Sequence, residues 1–306
     1  MTQQPETDAA AAEVGAVRKR RTRLERFGLL MKSAPPSAWF GMIVVSFYIL
    51  VAIFADVIAP YGEAQIHPVP FAPWSDEFIF GTDQIGRDVL TRLIYGARNT
   101  MGIALATTLL SFLIGGGLGL VAAINRSWLD QGLSRLVDVL MAIPSLIFAL
   151  MLLSIFGSTI TSLIMIIAVL DSTRVFRLTR SVAVNVAVMD YVEAAKLRGE
   201  GLGWIMRREI LPNIMPPLVA EFGLRFCFVF LTIAALSFLG VGIQPPTADW
   251  GSMVRANASL IQFAKYDITA AITPLLPAAA IALLTVAVNF IVDWFLQKTS
   301  GLRDDK

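Results

Sequence analysis

A single cysteine, Cys227, and a single histidine, His67, occur in the chain. One cysteine excludes an internal disulfide and makes a thiolate metal site implausible. A lone histidine in the proline-flanked stretch IHPVP makes a poor metal site on its own. Charge is scarce too: 16% of the 306 residues are charged and 56% are hydrophobic, whereas soluble domains carry about 25% charge. There is no G-x-x-x-x-G-K-[ST] phosphate loop, so any ATP used must be bound by another chain. No paired nucleophile and base sit on adjacent helical positions, which leaves an enzyme reading without support. No internal repeat is visible by eye. The net charge of +2 gives no footing for nucleic-acid binding, because the basic residues follow topology.

What the chain has instead is long apolar blocks, without the interruptions of a 3.6 or 2 period. Blocks of about 20 apolar residues match the hydrocarbon thickness as helix. Six candidate spans emerge, at about 39–59, 100–124, 136–156, 158–180, 214–243 and 272–296. Lipid tolerates only helices and closed barrels, so the expected fold is an all-α integral membrane protein with six transmembrane helices. The first block, from Trp39, is too long for a cleavable leader and reads as a retained span. Residues 1–38 are expected to form a cytoplasmic, largely disordered segment with a basic cluster from Arg18 to Arg26, 39–297 the membrane domain, and 298–306 a cytoplasmic tail. Lys and Arg set the orientation. With the amino terminus inside, 19 fall on inner segments and five outside (Arg87, Arg92, Arg98, Arg255 and Lys265), so both termini are expected in the cytoplasm.

One inner stretch is unusually polar. In DYVEAAKLRGEGLGWIMRREILPN, Asp190 to Asn213, eight of 24 residues are charged. Asp190 is placed to cap a helix whose small apolar face holds Tyr191, Val192, Ala194 and Ala195. Gly199-Glu200-Gly201 breaks it, a second helix restarts at Leu202, and Pro212 marks its end or a kink. By periodicity alone this helix–turn–helix either rests on headgroups or docks a cytoplasmic partner. Outside, Phe80 to Thr100 reads as an interfacial helix capped by Thr82 or Asp83, with Arg87 and Arg92 opposed to Val89, Leu90, Leu93 and Ile94. Trp250 suits a membrane interface.

The order E-A-A, three residues, G, ten residues, I-L-P (Glu193, Ala194, Ala195, Gly199, Ile210, Leu211 and Pro212) resembles the coupling motif of binding-protein-dependent ABC importer permeases. The residue before I-L-P, often His there, is Glu209. FGTDQIGRDVLTRLIYGARNT and SFLGVGIQPPTADWGSMV are similar to the C-type permease subunit of dipeptide, oligopeptide and nickel importers, and the three motifs lie in register from about Trp39 to Phe295. The resemblance implies a type I importer permease in the bacterial inner membrane, with coupling helices at 190–211. It implies a heterodimer with a B-type permease, two ATPase subunits that bind ATP and Mg, and a periplasmic or lipid-anchored solute-binding protein; no cofactor would be bound by this chain. Coupling would involve Asp190, Tyr191, Glu193, Ala194, Ala195, Gly199, Arg207 and Arg208. Gln244, Trp250 and Arg255, within the outer segment Ile243–Asp267, would face the binding protein or form part of a plug; a passive connector is the plainer alternative. The resemblance implies a di- or oligopeptide cargo, with nickel chelates, opines or other small solutes as alternatives. A stand-alone gradient-driven carrier is the reading from another class.

Charges at membrane depth are costly. Asp171 and Arg174 are three apart and expected to neutralise one another on one helix face, lining the translocation path or serving as a structural pair. Glu221 and Arg225, four apart, are expected to pair as a brace.

Overall fold

A computed structural model describes residues 33–125 and 128–299. The amino-terminal basic cluster, Arg126 and the tail from 300 onward lie outside the described residues. The helical bundle is the unit Ser37–Lys306.

The regular elements among the described residues are helices and one isolated bridge between Thr82 and Asp88; residues 59–88 and 239–249 are turns and loops. In order they form α1 (Pro36–Ile53), α2 (Ala55–Ile58), α3 (Val89–Ile124), α4 (Trp128–Ala142), α5 (Ser145–Phe156), α6 (Ile160–Ala187), α7 (Asp190–Leu197), α8 (Leu202–Ile205), a π-turn at Met206–Ile210, α9 (Leu211–Phe238), α10 (Trp250–Asn257), a 3-10 turn at Ala258–Phe263, α11 (Ile268–Ile272) and α12 (Leu275–Thr299).

Four helical stretches are long and apolar enough to cross a membrane: Pro36–Ile53, Val89–Ile124, Leu202–Phe238 and Ile268–Lys298. A fifth arises if α4 and α5 act as one broken span. They meet at 91°, which corrects the straight helix expected over 136–156. Pro144 sits at the N-cap of α5, where its missing N–H and fixed φ do no harm but prevent α4 from running through. The remaining expected span, at 158–180, is α6, which extends to Ala187 and carries Asp171, Arg174, Arg177 and Arg180.

The most extensive helix pairing is α3 against α6. Gly115 makes this possible: a Cβ there would collide with the Ser172 carbonyl oxygen. The main core gathers Leu153, Leu163, Ile167, Val229, Phe230, Ile233, Leu236, Trp250 and Leu284. A second cluster at the far end of α3 joins Leu120 and Ala123 to Ala183 and Ala187 of α6 and to the segment from Val192 to Leu218. At about 1.5 Å per residue α3 is about 54 Å long, well beyond an apolar layer of about 30 Å. Its two ends therefore serve two different surfaces.

Candidate functional site

The polar stretch folds as an elbow at the carboxyl-terminal end of α3. Met189 occupies the N-cap of α7 without a side-chain bond, so Asp190 does not cap. It stands in the first turn with Glu193, where carboxylates favour the positive end of the helix dipole. Val192 and Ala195 are buried against Leu120, Ala123, Ala183, Ile205, Ile210 and Ile214. Tyr191 and Ala194, expected on the same face, are exposed, because an eight-residue helix turns them away from the 192/195 stripe.

The exit from α7 is a Schellman motif. Gly199 N–H donates to the Lys196 carbonyl at 2.9 Å and Glu200 N–H to the Ala195 carbonyl at 3.2 Å. Gly199 has φ +79°, a left-handed conformation that a Cβ disfavours. Gly201 has φ −69°, so only the first glycine is required for its conformation. The second limb is no separate helix: α8 passes through the π-turn straight into α9. Pro212, expected to mark an end or kink, lies in the first turn of α9, where proline is tolerated. The π-turn leaves Arg207 and Arg208 exposed while Ile210 is fully buried, and Asn213 Nδ2 donates to the Glu209 carbonyl at 2.6 Å.

The outer face of the elbow makes no ion pair among the described residues: none within 4.0 Å involves Asp190, Glu193, Lys196, Arg198, Glu200, Arg207 or Arg208. Leu197 beside them is 84% exposed.

Midway along the bundle the charges are rearranged from the expected pattern. Arg225 of α9 has Glu221 Oε1 2.8 Å from Nε, off the N–H axis, and donates from Nη1 to Asp171 Oδ1 of α6 at 3.4 Å. Asp171 therefore neutralises Arg225 on another helix, and the expected Asp171–Arg174 pair does not form. A three-residue step on α6 turns Asp171 into the packed side and leaves Arg174 exposed, with its guanidinium 5.7 Å from the Phe228 ring centre. Phe228 also carries Arg225 at 4.4 Å. Asp171 and Arg174 share a cavity of about 200 Å³ with Ser145, Phe228 and Thr232. Nearer the elbow, Arg180 binds Asp130 at 2.7 Å and Arg177 lies 3.4 Å from Asp138, tying α6 to α4.

The opposite end of the bundle is a buried polar knot, not a headgroup-facing helix. Asp88 caps α3 by accepting from Thr91 N–H at 2.7 Å. Thr82 instead accepts from Ala72 N–H and donates to the Val69 carbonyl. Asp83 accepts from Arg87 Nε at 2.7 Å, with Arg92 Nε 3.8 Å away, so Arg87 and Arg92 are buried and neutralised in part by the same carboxylate. Asp249 caps α10 through Gly251 and Ser252 N–H groups. Its burial pushes the carboxyl above the usual range, against the opposing pull of those donors. Trp250 is 1% exposed, donates Nε1–H to the Leu93 carbonyl at 2.9 Å and packs edge-on to Tyr48 and Phe230. It is a core residue, which corrects its assignment to a partner-facing surface. Gln244 and Arg255 remain exposed.

Residues 115–299 match the family described as binding-protein-dependent transport system inner membrane component. Residues 35–73 match the N-terminal TM domain of oligopeptide transport permease C. The chain is 36% identical to the dipeptide transport system permease protein DppC of Escherichia coli over 271 residues, covering 86% of each chain. It is 34% identical to the di/tripeptide transport system permease protein DppC of Pseudomonas aeruginosa, over 86% of this chain and 85% of that one. Against DppC of Alkalihalophilus pseudofirmus the figures are 33%, 86% and 83%. The chain belongs to the binding-protein-dependent transport permeases, in the oligopeptide permease C group.

As such a permease it is a multi-pass inner-membrane component of a peptide-type ABC importer and is not itself the catalytic subunit. Sequence reasoning about the permease missed Arg225 as the shared cation of the central cluster, because its partner Asp171 is 54 residues away. It also missed Asp83 as the anchor of two arginines: Asp83 and Arg87 are four apart but lie in the turn before α3, where no helical spacing rule applies.

Proposed function

We propose that the permease forms half of an alternating-access channel for dipeptides and short oligopeptides, driven from the cytoplasm through the elbow at 190–211. Two separate ATPase subunits, which hold ATP and Mg, grip the exposed face carrying Asp190, Tyr191, Glu193, Ala194 and Leu197. Arg207 and Arg208 flank that face. A B-type permease completes the channel, and a solute-binding protein delivers cargo on the opposite side. The single observation that carries the reading is an elbow whose charges have no ion-pair partner among the described residues, while its other face is locked to α3, α6 and α9. A push on α7 is thereby passed to three helices at once.

In this reading α6 crosses as well, giving six spans with both termini on the elbow side. The 19-to-five distribution of Lys and Arg supports that orientation. Asp171 and Arg174 line the path. Their shared cavity supports this, as does the exposure of Arg174 at a depth where facing lipid costs about 2.5–3.5 kcal/mol. The peptide cargo rests on the relatives, named for dipeptides and di/tripeptides.

The test is Glu193→Arg, which alters one exposed side chain without touching the buried stripe. Insertion and thermal stability should match the wild type, while peptide-stimulated ATP hydrolysis and uptake are lost. Normal uptake with this variant would refute the docking role.

A further inference from the structure

At the first turn of α3, the end opposite the elbow, a cavity of about 290 Å³ is bounded by Asp83, Arg87, Arg92, Gln244, Arg255 and Asn257. Its lining holds three arginines and the carboxylate of Asp83, and the carboxylates of Glu63 and Asp249 also act on Arg92. Asp83 is already engaged by Arg87 and approached by Arg92, and Arg92 also donates to the carbonyls of Glu63 and Pro246. Arg255 is different. Among the described residues it has no ion pair within 4.0 Å, and its guanidinium lies against Gly240, where any Cβ would collide with it. In the same wall, Asn257 is 1% exposed. Its Nδ2 donates to the Met253 carbonyl at 3.0 Å, which leaves Oδ1 buried with no hydrogen-bond partner. A buried acceptor without a donor is costly, and Arg255 in the same wall is an exposed cation free to take an anion. The two demands are met together by a group that presents a carboxylate and an N–H a few atoms apart.

We propose that this cavity is a subsite for the carboxyl terminus of a peptide, with the terminal carboxylate on Arg255 and the adjacent amide N–H, or the ammonium of a very short peptide, on Asn257 Oδ1. The volume is at the small end of ligand pockets, which run from about 300 Å³ upward, so it suits a chain terminus and not a long peptide. The subsite rests on the peptide-import reading, yet it makes a narrower demand: an uncapped terminus binds and an amidated one does not.

The experiment uses the assembled transporter, with its partner permease and ATPases, in nanodiscs without the binding protein. Binding of L-alanyl-L-alanine is compared with that of L-alanyl-L-alaninamide by calorimetry. The free acid should bind at least about tenfold more tightly, the size of one charge-assisted hydrogen bond. Arg255→Gln should erase the difference, and Asn257→Leu should weaken both ligands alike. Equal binding of acid and amide, no binding of either, or an unchanged preference in Arg255→Gln overturns the subsite. If Arg255→Gln instead weakens only association of the binding protein, the cavity receives an acidic side chain of that protein and the peptide subsite is wrong. Peptide uptake into proteoliposomes holding the same assembled transporter, with the binding protein supplied, separates the two levels. Uptake without discrimination discards the subsite alone, whereas discrimination without uptake discards the importer reading and leaves the subsite.

Discussion

Gly199 offers the sharpest test of how the elbow is built, because its neighbourhood isolates one variable. Nothing lies within 4 Å of a Cβ added there, so substitution carries no steric cost and only the left-handed backbone matters. For an L-residue that conformation costs about 1–2 kcal/mol, with asparagine the better tolerated of the non-glycine residues. Gly199→Asn should therefore be mildest and Gly199→Ala intermediate. Gly199→Pro should be worst, since it forbids the positive φ and removes the N–H that donates to Lys196 at 2.9 Å, at about 3 kcal/mol or more. The readout is hydrogen exchange at the Glu200 amide, whose bond to Ala195 closes the motif. A loss of about 1–2 kcal/mol lowers protection roughly 5–30-fold. Peptide-stimulated ATP hydrolysis should fall in the same order. Alanine behaving like proline, or asparagine worse than alanine, would refute the backbone argument.

Two further outcomes concern buried groups. Asp171→Leu strips Arg225 of its cross-helix partner and leaves it with Glu221 alone, so it should cost less than the about 3–5 kcal/mol of a fully unpaired buried charge, seen as a lower unfolding temperature; Asp171→Leu with Arg225→Met should recover part of it, and no recovery would mean that the two do not form a unit. Trp250→Ala should cost about 3–5 kcal/mol as a core truncation, whereas a residue serving only to meet a partner would leave thermal stability unchanged.

The elbow was legible in the sequence because its signals are local: a charge-dense island, a glycine three residues beyond Lys196, and an apolar pair at 192 and 195. The bend between α4 and α5 was not, since Leu140 to Phe156 is unbroken in hydropathy and a proline alone does not say whether the helix kinks or restarts. Asp171 was paired with the nearest opposite charge in the chain, Arg174, when the packing of α6 on α9 supplied Arg225. Trp250 was read from the habit of tryptophans at interfaces, but the glycine at position 96 lets its ring enter the bundle, a fact that only the approach of α10 to α3 reveals. Both errors have one source. Side-chain chemistry names what a residue needs, and the helix packing decides which neighbour meets that need.

If the elbow transmits force, it is held by the permease on one side and by an ATPase on the other. A photo-crosslinking residue placed at Leu197, 84% exposed and next to Glu193 on the free face, tests this in the assembled transporter. Cross-links to the ATPase subunit, tightened or loosened by ATP, are the expected result. Cross-links to lipid alone, in every nucleotide state, would contradict the coupling role.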